Sequence, residues 1–74
     1  MFLFSVKLKE SRLKKNQSLN EAAKFFGWTQ MYYGRYENSR LLPNKKNTSK
    51  FADFMNLSEE ELISIIEVDK NIFK

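Results

Sequence analysis

Cysteine and histidine are both absent from this 74-residue sequence, and the two absences exclude several kinds of site. Without cysteine the chain has no disulfide, no thiolate zinc site and no iron-sulfur cluster. Without histidine it lacks the commonest metal ligand and the usual general base near neutral pH. We therefore expect no metal, no cofactor and no enzymatic activity. One proline and two glycines leave long stretches in which a helix can continue unbroken.

Long hydrophobic runs are also missing. The apolar opening Met1-Phe2-Leu3-Phe4 is shorter than the roughly 7 to 15 residues of a secretory signal and the about 20 residues of a membrane span. We therefore expect a cytoplasmic protein. The length allows one domain, residues 1–74, and 42% hydrophobic with 15% aromatic residues predicts a compact core.

Charge is distributed unevenly along the chain. Residues 1–50 hold eleven Lys or Arg against three acids, a formal +8, whereas residues 51–74 hold two lysines against six acids, a formal −4. Such polarity suits a polyanionic partner, chiefly nucleic acid, that approaches one face of the molecule. The alternative is a solvated surface on which the charges are simply spread unevenly.

The spacing of apolar residues and capping residues predicts an all-α fold with five helices. Two capping boxes, Ser18 with Glu21 and Ser58 with Glu61, mark helix starts. Predicted helices begin near Ser5, Ser18, Thr29, Asn47 (or as early as Lys45) and Ser58, and end near Asn16, Gly27, Asn38, Met55 and Ile66. The short Phe26-Gly27-Trp28-Thr29 corner between the second and third helices describes a helix-turn-helix.

From about Leu8 to Ile63 the sequence resembles the Cro and lambda-repressor type of helix-turn-helix family, also called the xenobiotic-response-element type. The resemblance lies in Arg12, Ser18-Leu19-Asn20-Glu21-Ala22-Ala23, Gly27-Trp28-Thr29-Gln30, Tyr33, Tyr36-Glu37-Asn38, Leu42-Pro43, Phe51-Ala52, Ser58 and Glu61-Leu62. It implies a compact five-helix repressor-like domain that binds double-stranded DNA and represses transcription in a bacterium or phage, with residues 67–74 as a tail outside the match. The alternative is an interaction module of the same fold, similar to an antitoxin or antirepressor, that binds a protein.

The resemblance implies that the third helix lies in the major groove and that its first residue, Gln30, contacts a base edge. Glutamine pairs with adenine N6 and N7. If Tyr33 and Tyr36 are buried, helical geometry turns four residues outward on one side: Gln30, Met31, Gly34 and Arg35. Arg35 would bond a guanine or a phosphate, and Met31 would touch a thymine methyl group.

Glycine inside a helix costs about 1 kcal/mol relative to alanine, so Gly34 needs a reason. Either DNA or a neighbouring part of the protein approaches the protein backbone closely there, or the residue is neutral and merely small.

Contacts to the DNA backbone are expected from exposed amides at helix starts and from the loop after the third helix. The candidate residues are Ser18, Thr29, Tyr32, Asn38, Arg40, Lys45 and Lys46.

Three positions depart from the family pattern: Leu19 replaces a glutamine that touches phosphate in many members, Ser39 replaces a common glycine, and Gln17 replaces a common apolar residue.

Arg12 and Glu37 correspond to a structural ion pair between the first and third helices. Relatives often pair through the C-terminal helix, which implies a homodimer through Ile63, Ile66, Ile72 and Phe73. The alternative is a tail that packs on its own core and covers the apolar stripe of Val6 and Leu13.

Overall fold

A computed structural model describes residues 1–72 of the chain, and these residues form five α-helices and no strand. The helices are α1 (Leu3–Lys14), α2 (Leu19–Phe26), α3 (Gln30–Glu37), α4 (Lys45–Met55) and α5 (Glu59–Ile72). The predicted all-α class is confirmed. Within residues 1–72, no helix combines the length and apolar character needed to cross a membrane. Phe73, one of the predicted dimer contacts, lies outside the described residues.

Local capping residues explain where α2 and α5 begin. The Glu21 amide donates to Ser18 Oγ at 3.2 Å, and the Ser18 amide donates to Glu21 Oε1 at 2.8 Å. The same two bonds join Ser58 and Glu61, each at 3.1 Å. Each box satisfies amides that a helix start leaves without partners, so both predicted boxes are confirmed.

The predicted start of α1 is wrong, because Ser5 lies inside the helix and is buried. Its hydroxyl donates to the carbonyl oxygen of Tyr36 at 2.5 Å. The first helical amides donate instead to Asp69 of α5: Leu3 N to Oδ1 at 2.6 Å and Phe4 N to Oδ2 at 2.9 Å. A side chain at the far end of the chain therefore caps α1, and the N-cap position is Phe2, three residues before the predicted cap at Ser5.

An aromatic cluster joins the corner between α2 and α3 to α4. The ring of Phe26 lies 4.7 Å from that of Phe51, 4.8 Å from that of Trp28 and 5.7 Å from that of Tyr33, measured between centroids. Phe4 of α1 meets Phe51 edge to face at 5.1 Å. Aromatic burial of this kind contributes both hydrophobic area and directional ring contacts, so it fixes α3 against the rest of the domain.

The last helix continues to Ile72, beyond its predicted end near Ile66. Ile66 and Asp69 follow Leu62 at intervals of four and three residues, which keeps them on one buried face. Ile66 is 6% exposed and belongs to the core, so its prediction as a dimer contact is wrong. Ile63 and Ile72 are 45% and 68% exposed, but nine residues place them on opposite sides of the helix. One flat interface cannot use both.

The second apolar stripe of α1 remains uncovered by the described part of the tail. Val6 is 39% exposed and Leu13 is 54% exposed, while Val68 near the end of α5 is itself 43% exposed. The alternative in which residues up to Ile72 cover this stripe is therefore wrong for the described part of the chain.

Candidate nucleic-acid interface

The turn between α2 and α3 depends on small residues at two points. Gly27 ends α2 with a φ of 72°, in the left-handed region that side chains rarely adopt. Its neighbour Trp28 donates its amide to the carbonyl oxygen of Ala23 at 3.1 Å. Ala22 and Ala23 are both fully buried, which allows the two helix backbones to approach closely. The local sequence thus sets the direction in which α3 leaves the turn.

The buried side of α3 fixes its rotation about its own axis. Tyr33 is fully buried, and Tyr36 is 2% exposed with its ring stacked on Trp28 at 5.3 Å. The opposite side therefore faces outward, with Gln30, Met31 and Arg35 exposed. The structure brings these three predicted side chains onto one face of α3, with Gly34 between them.

Gly34 has no steric reason within the described chain to be glycine. A methyl group placed on its backbone would meet only Asn38 Nδ2, at 3.9 Å, which is an ordinary contact distance. The explanation through a neighbouring part of the same chain is therefore excluded. Two explanations for the glycine remain: another molecule approaches the backbone closely there, or a small residue at this position has no particular role.

The first and third helices are joined by a partly buried ion pair. Arg12 Nε lies 2.7 Å from Glu37 Oε2, Arg12 Nη2 lies 3.2 Å from Glu37 Oε1, and the side chains are 11% and 6% exposed. Arg12 Nη1 also donates to the carbonyl oxygen of Gln17 at 2.9 Å, and the Tyr33 hydroxyl donates to Glu37 Oε2 at 2.7 Å. This network orients α3 from its inner side.

The network also shifts two ionisation equilibria. The hydrogen bond to Glu37 raises the pKa of Arg12, against an opposing effect of burial. Burial, followed by the hydrogen bond to Glu37, raises the pKa of Tyr33 well above its ordinary value. Arg12 therefore stays charged and Tyr33 stays protonated throughout the physiological range.

The candidates for DNA-backbone contact fall into two groups. Ser18 and Thr29 are exposed, and their oxygens accept amides in the caps of α2 and α3, which leaves each hydroxyl a proton to donate. The Tyr32 hydroxyl is already 3.1 Å from the hydroxyl of Tyr36. The second group is exposed and follows α3 along the loop into the first turn of α4: Asn38, Arg40, Lys45 and Lys46.

Two residues near these elements have roles that sequence reasoning missed. Ser39 adopts a φ of 62°, and its Oγ accepts the Phe2 amide at 2.9 Å. Lys15 donates to the carbonyl oxygen of Phe54, and its Nζ lies 3.8 Å from the centroid of the Phe54 ring. Burial lowers the pKa of Lys15. The signal for Ser39 was present, since a residue that replaces a common glycine must adopt the conformation that glycine favours.

Comparison with known proteins identifies a helix-turn-helix in the same part of the chain. A helix-turn-helix family model matches residues 8–62, close to the predicted boundaries. Over 61 residues, 82% of the chain, the sequence is 31% identical to an uncharacterized HTH-type transcriptional regulator, YonR, derived from the SPbeta prophage of Bacillus subtilis (strain 168). That match covers 56% of the relative, so the chain spans little more than half its length. No solved structure matches the chain significantly.

Proposed function

The chain belongs to the Cro-like helix-turn-helix family, and on this basis we propose that it is a cytoplasmic regulator, of a bacterium or phage, that binds double-stranded DNA and represses transcription. The observation that carries the proposal is the outward face of α3. Its side chains are free to meet a base edge, while the opposite side of the same helix is locked into the core. A helix held in this way can enter the major groove, which admits one α-helix.

Gln30, at the first position of α3, is proposed to pair with adenine through N6 and N7. Arg35 lies about 1.4 turns further along the exposed side of α3 and is proposed to bond guanine O6 and N7 or a phosphate. Met31 is 77% exposed and offers an apolar contact to a thymine methyl group. Each side chain is exposed without DNA, so binding requires no opening of the core.

The flanking positive charges are proposed to hold the duplex backbone. Arg40, Lys45 and Lys46 lie on the segment that follows α3, and the exposed hydroxyls of Ser18 and Thr29 lie at the starts of α2 and α3. Each phosphate that a cation neutralises releases counterion, so log affinity should fall with log salt by about 0.9 per contact. Tyr32 contributes less in this arrangement, because its hydroxyl is already paired with Tyr36.

Selection from random duplex DNA tests the proposal directly. We expect an enriched motif, and we expect Gln30→Ala or Arg35→Ala to weaken binding to it by roughly 1 to 3 kcal/mol with relaxed choice at single positions. Lys45→Ala is the matched control, because removal of a cation that binds phosphate should weaken all duplexes alike and reduce the salt slope by about one.

Two outcomes would contradict the proposal. An unchanged selected motif for Gln30→Ala would remove the assigned base contact. Binding that is absent at low salt, or independent of salt, would exclude the electrostatic mode and favour a module that binds protein.

We further propose that the protein binds DNA as a homodimer, since a two-fold dimer places two α3 helices about 34 Å apart on successive major grooves. Ile72 is the exposed apolar side chain at the end of α5 and Ile63 is the one nearer its start, so they represent two different pairing surfaces. Sedimentation of Ile72→Ser and Ile63→Ser separates them. A chain that stays monomeric at high concentration and binds a palindromic duplex without cooperativity would exclude the dimer.

A further inference from the structure

The start of α1 connects the end of α5 to the end of α3. On one side the carboxylate of Asp69 accepts the amides of Leu3 and Phe4 at 2.6 and 2.9 Å. On the other side Ser5 Oγ donates to the carbonyl oxygen of Tyr36 at 2.5 Å. All of these bonds join residues at least 31 positions apart in the chain.

A fourth long-range bond completes this connection. The Phe2 amide donates to Ser39 Oγ at 2.9 Å, and Ser39 holds the left-handed φ of 62° just after α3. A non-glycine residue in that conformation is strained, and its hydroxyl makes a bond that glycine would lack. We call Ser5, Ser39 and Asp69, with the amides of residues 2–4, the α1 clasp.

The α1 clasp holds the segment from which DNA-backbone contacts are proposed. A helix end leaves its last carbonyl groups without partners in the helix, and Ser5 supplies the partner for Tyr36. Asn38 follows two residues later, and Arg40 follows Ser39 directly. The start of α1 therefore contacts the chain on both sides of Asn38, at Tyr36 and at Ser39.

Asp69 anchors the start of α1 to α5. Its side chain is 1% exposed, and a carboxylate buried without partners would be strongly unfavourable. Its two oxygens satisfy two of the amides that the start of α1 leaves free, which couples the end of α5 to the first turn of α1. Asp69 lies beyond residues 8–62, so the family match does not include it.

From this geometry we propose that Asp69 is a positioning residue for DNA binding, acting through the α1 clasp on the segment 38–40 that follows α3. The binding part of this proposal rests on the proposed function. Its structural part concerns only the chain itself, so the two can fail separately.

Native-state hydrogen exchange of the full chain tests the structural part. In Asp69→Ala we expect the amides of Asn38 and Arg40, both hydrogen-bonded to α3 carbonyls, to exchange roughly tenfold faster relative to Ala22 of α2. Asp69→Asn keeps one acceptor oxygen and should fall between the parent and the alanine variant. Ile66→Val is the matched control, because it loosens packing one turn earlier in α5 and keeps every bond of the clasp.

Ser39→Gly keeps the proposal testable if Asp69→Ala does not fold. Glycine tolerates the left-handed φ at this position but removes the hydroxyl that accepts the Phe2 amide. We expect faster exchange at Arg40 with little change at Ala22. If Ser39→Gly and Asp69→Asn raise exchange at the end of α3 no more than Ile66→Val does, Asp69 merely stabilises the fold and the proposal is wrong.

The binding part is measured on the duplex obtained by selection. Asp69→Asn should bind it more weakly than Ile66→Val does, and its salt slope should be shallower by about 0.9 because the Arg40 guanidinium no longer neutralises a phosphate. Loss of a contact from the uncharged Asn38 lowers the affinity without changing the slope. A slope and an affinity equal to those of the parent, together with a loosened end of α3, would show that this segment does not contact DNA. Failure of the parent to bind any duplex would overturn the proposed function and leave the exchange result intact.

Discussion

Arg12→Ala should destabilise the fold far more than an ordinary surface substitution. The substitution removes two bonds to Glu37 and one to the carbonyl oxygen of Gln17. Glu37 is 6% exposed, so its carboxylate would be left without a positively charged partner in a poorly solvated position. The Tyr33 hydroxyl would still donate one hydrogen bond to it. Removal of one partner from a buried pair costs about 3 to 5 kcal/mol.

The size of this effect can be judged against the stability of the whole domain. At roughly 0.05 to 0.15 kcal/mol per residue, a chain of 74 residues has a free energy of unfolding of about 4 to 11 kcal/mol. The substitution therefore removes roughly a quarter or more of the total. With a urea dependence of about 1 to 1.5 kcal/mol per molar for so small a protein, the midpoint should fall by at least about 2 M.

Urea unfolding followed by Trp28 fluorescence measures this change, because Trp28 stacks on Phe26 and Tyr36 only in the folded state. Arg35→Ala is the matched control, since it removes an equal charge from an exposed position and should change stability by no more than about 0.5 kcal/mol. If Arg12→Ala unfolds like the parent yet no longer binds DNA, Arg12 contacts DNA and the structural assignment is wrong.

Three further predictions concern stability and its relation to binding. Gly34→Ala should raise the free energy of unfolding by roughly 0.5 to 1 kcal/mol in thermal unfolding, because the added methyl group has room. The same substitution should weaken duplex binding if DNA approaches the backbone there, and an unchanged affinity would mean that glycine is not required at this position for binding. Burial and the hydrogen bond to Tyr32 raise the pKa of Tyr36 to about 12. The contribution of this shift to the free energy of unfolding is complete below about pH 10 and should be lost as the pH rises toward 12. A melting temperature that falls as tyrosinate absorbance rises would show this loss. Gln17→Met should raise the free energy of unfolding by about 1 kcal/mol in urea, because the buried Oε1 of Gln17 has no hydrogen-bond partner among the residues that the structure describes; an unchanged midpoint would mean that water satisfies it.

The helix-turn-helix could be predicted because its signals are local. The capping box of Ser18 and Glu21, the left-handed Gly27 and the cap at Thr29 each act within a few residues of themselves. Such contacts form whatever the rest of the fold is, so the local sequence is sufficient to predict these helix ends. The same holds for Ser58 and Glu61 at the start of α5.

The two ends of the chain could not be predicted so well, because their contacts join distant residues. Ser5 precedes an apolar segment and resembles a local cap, but the actual cap of α1 is Asp69, 66 residues from Leu3. One signal for this bond was present. Asp69 continues the apolar face of Leu62 and Ile66, and an acid on a buried face requires partners such as free helix amides. The choice among the possible partners follows only from the packed structure.

The eight residues of α3 divide their tasks between two sides of one helix. Tyr33, Tyr36 and Glu37 hold the helix in place through ring contacts, hydrogen bonds and the ion pair, whereas the side chains of Gln30 and Arg35 are exposed. Substitutions on an exposed face usually change stability by no more than about 0.5 kcal/mol. The proposed base preference can therefore change without a matching change in stability. Stability, in contrast, depends on residues that point away from the proposed DNA surface, so a defect that arises there should weaken binding to every sequence alike.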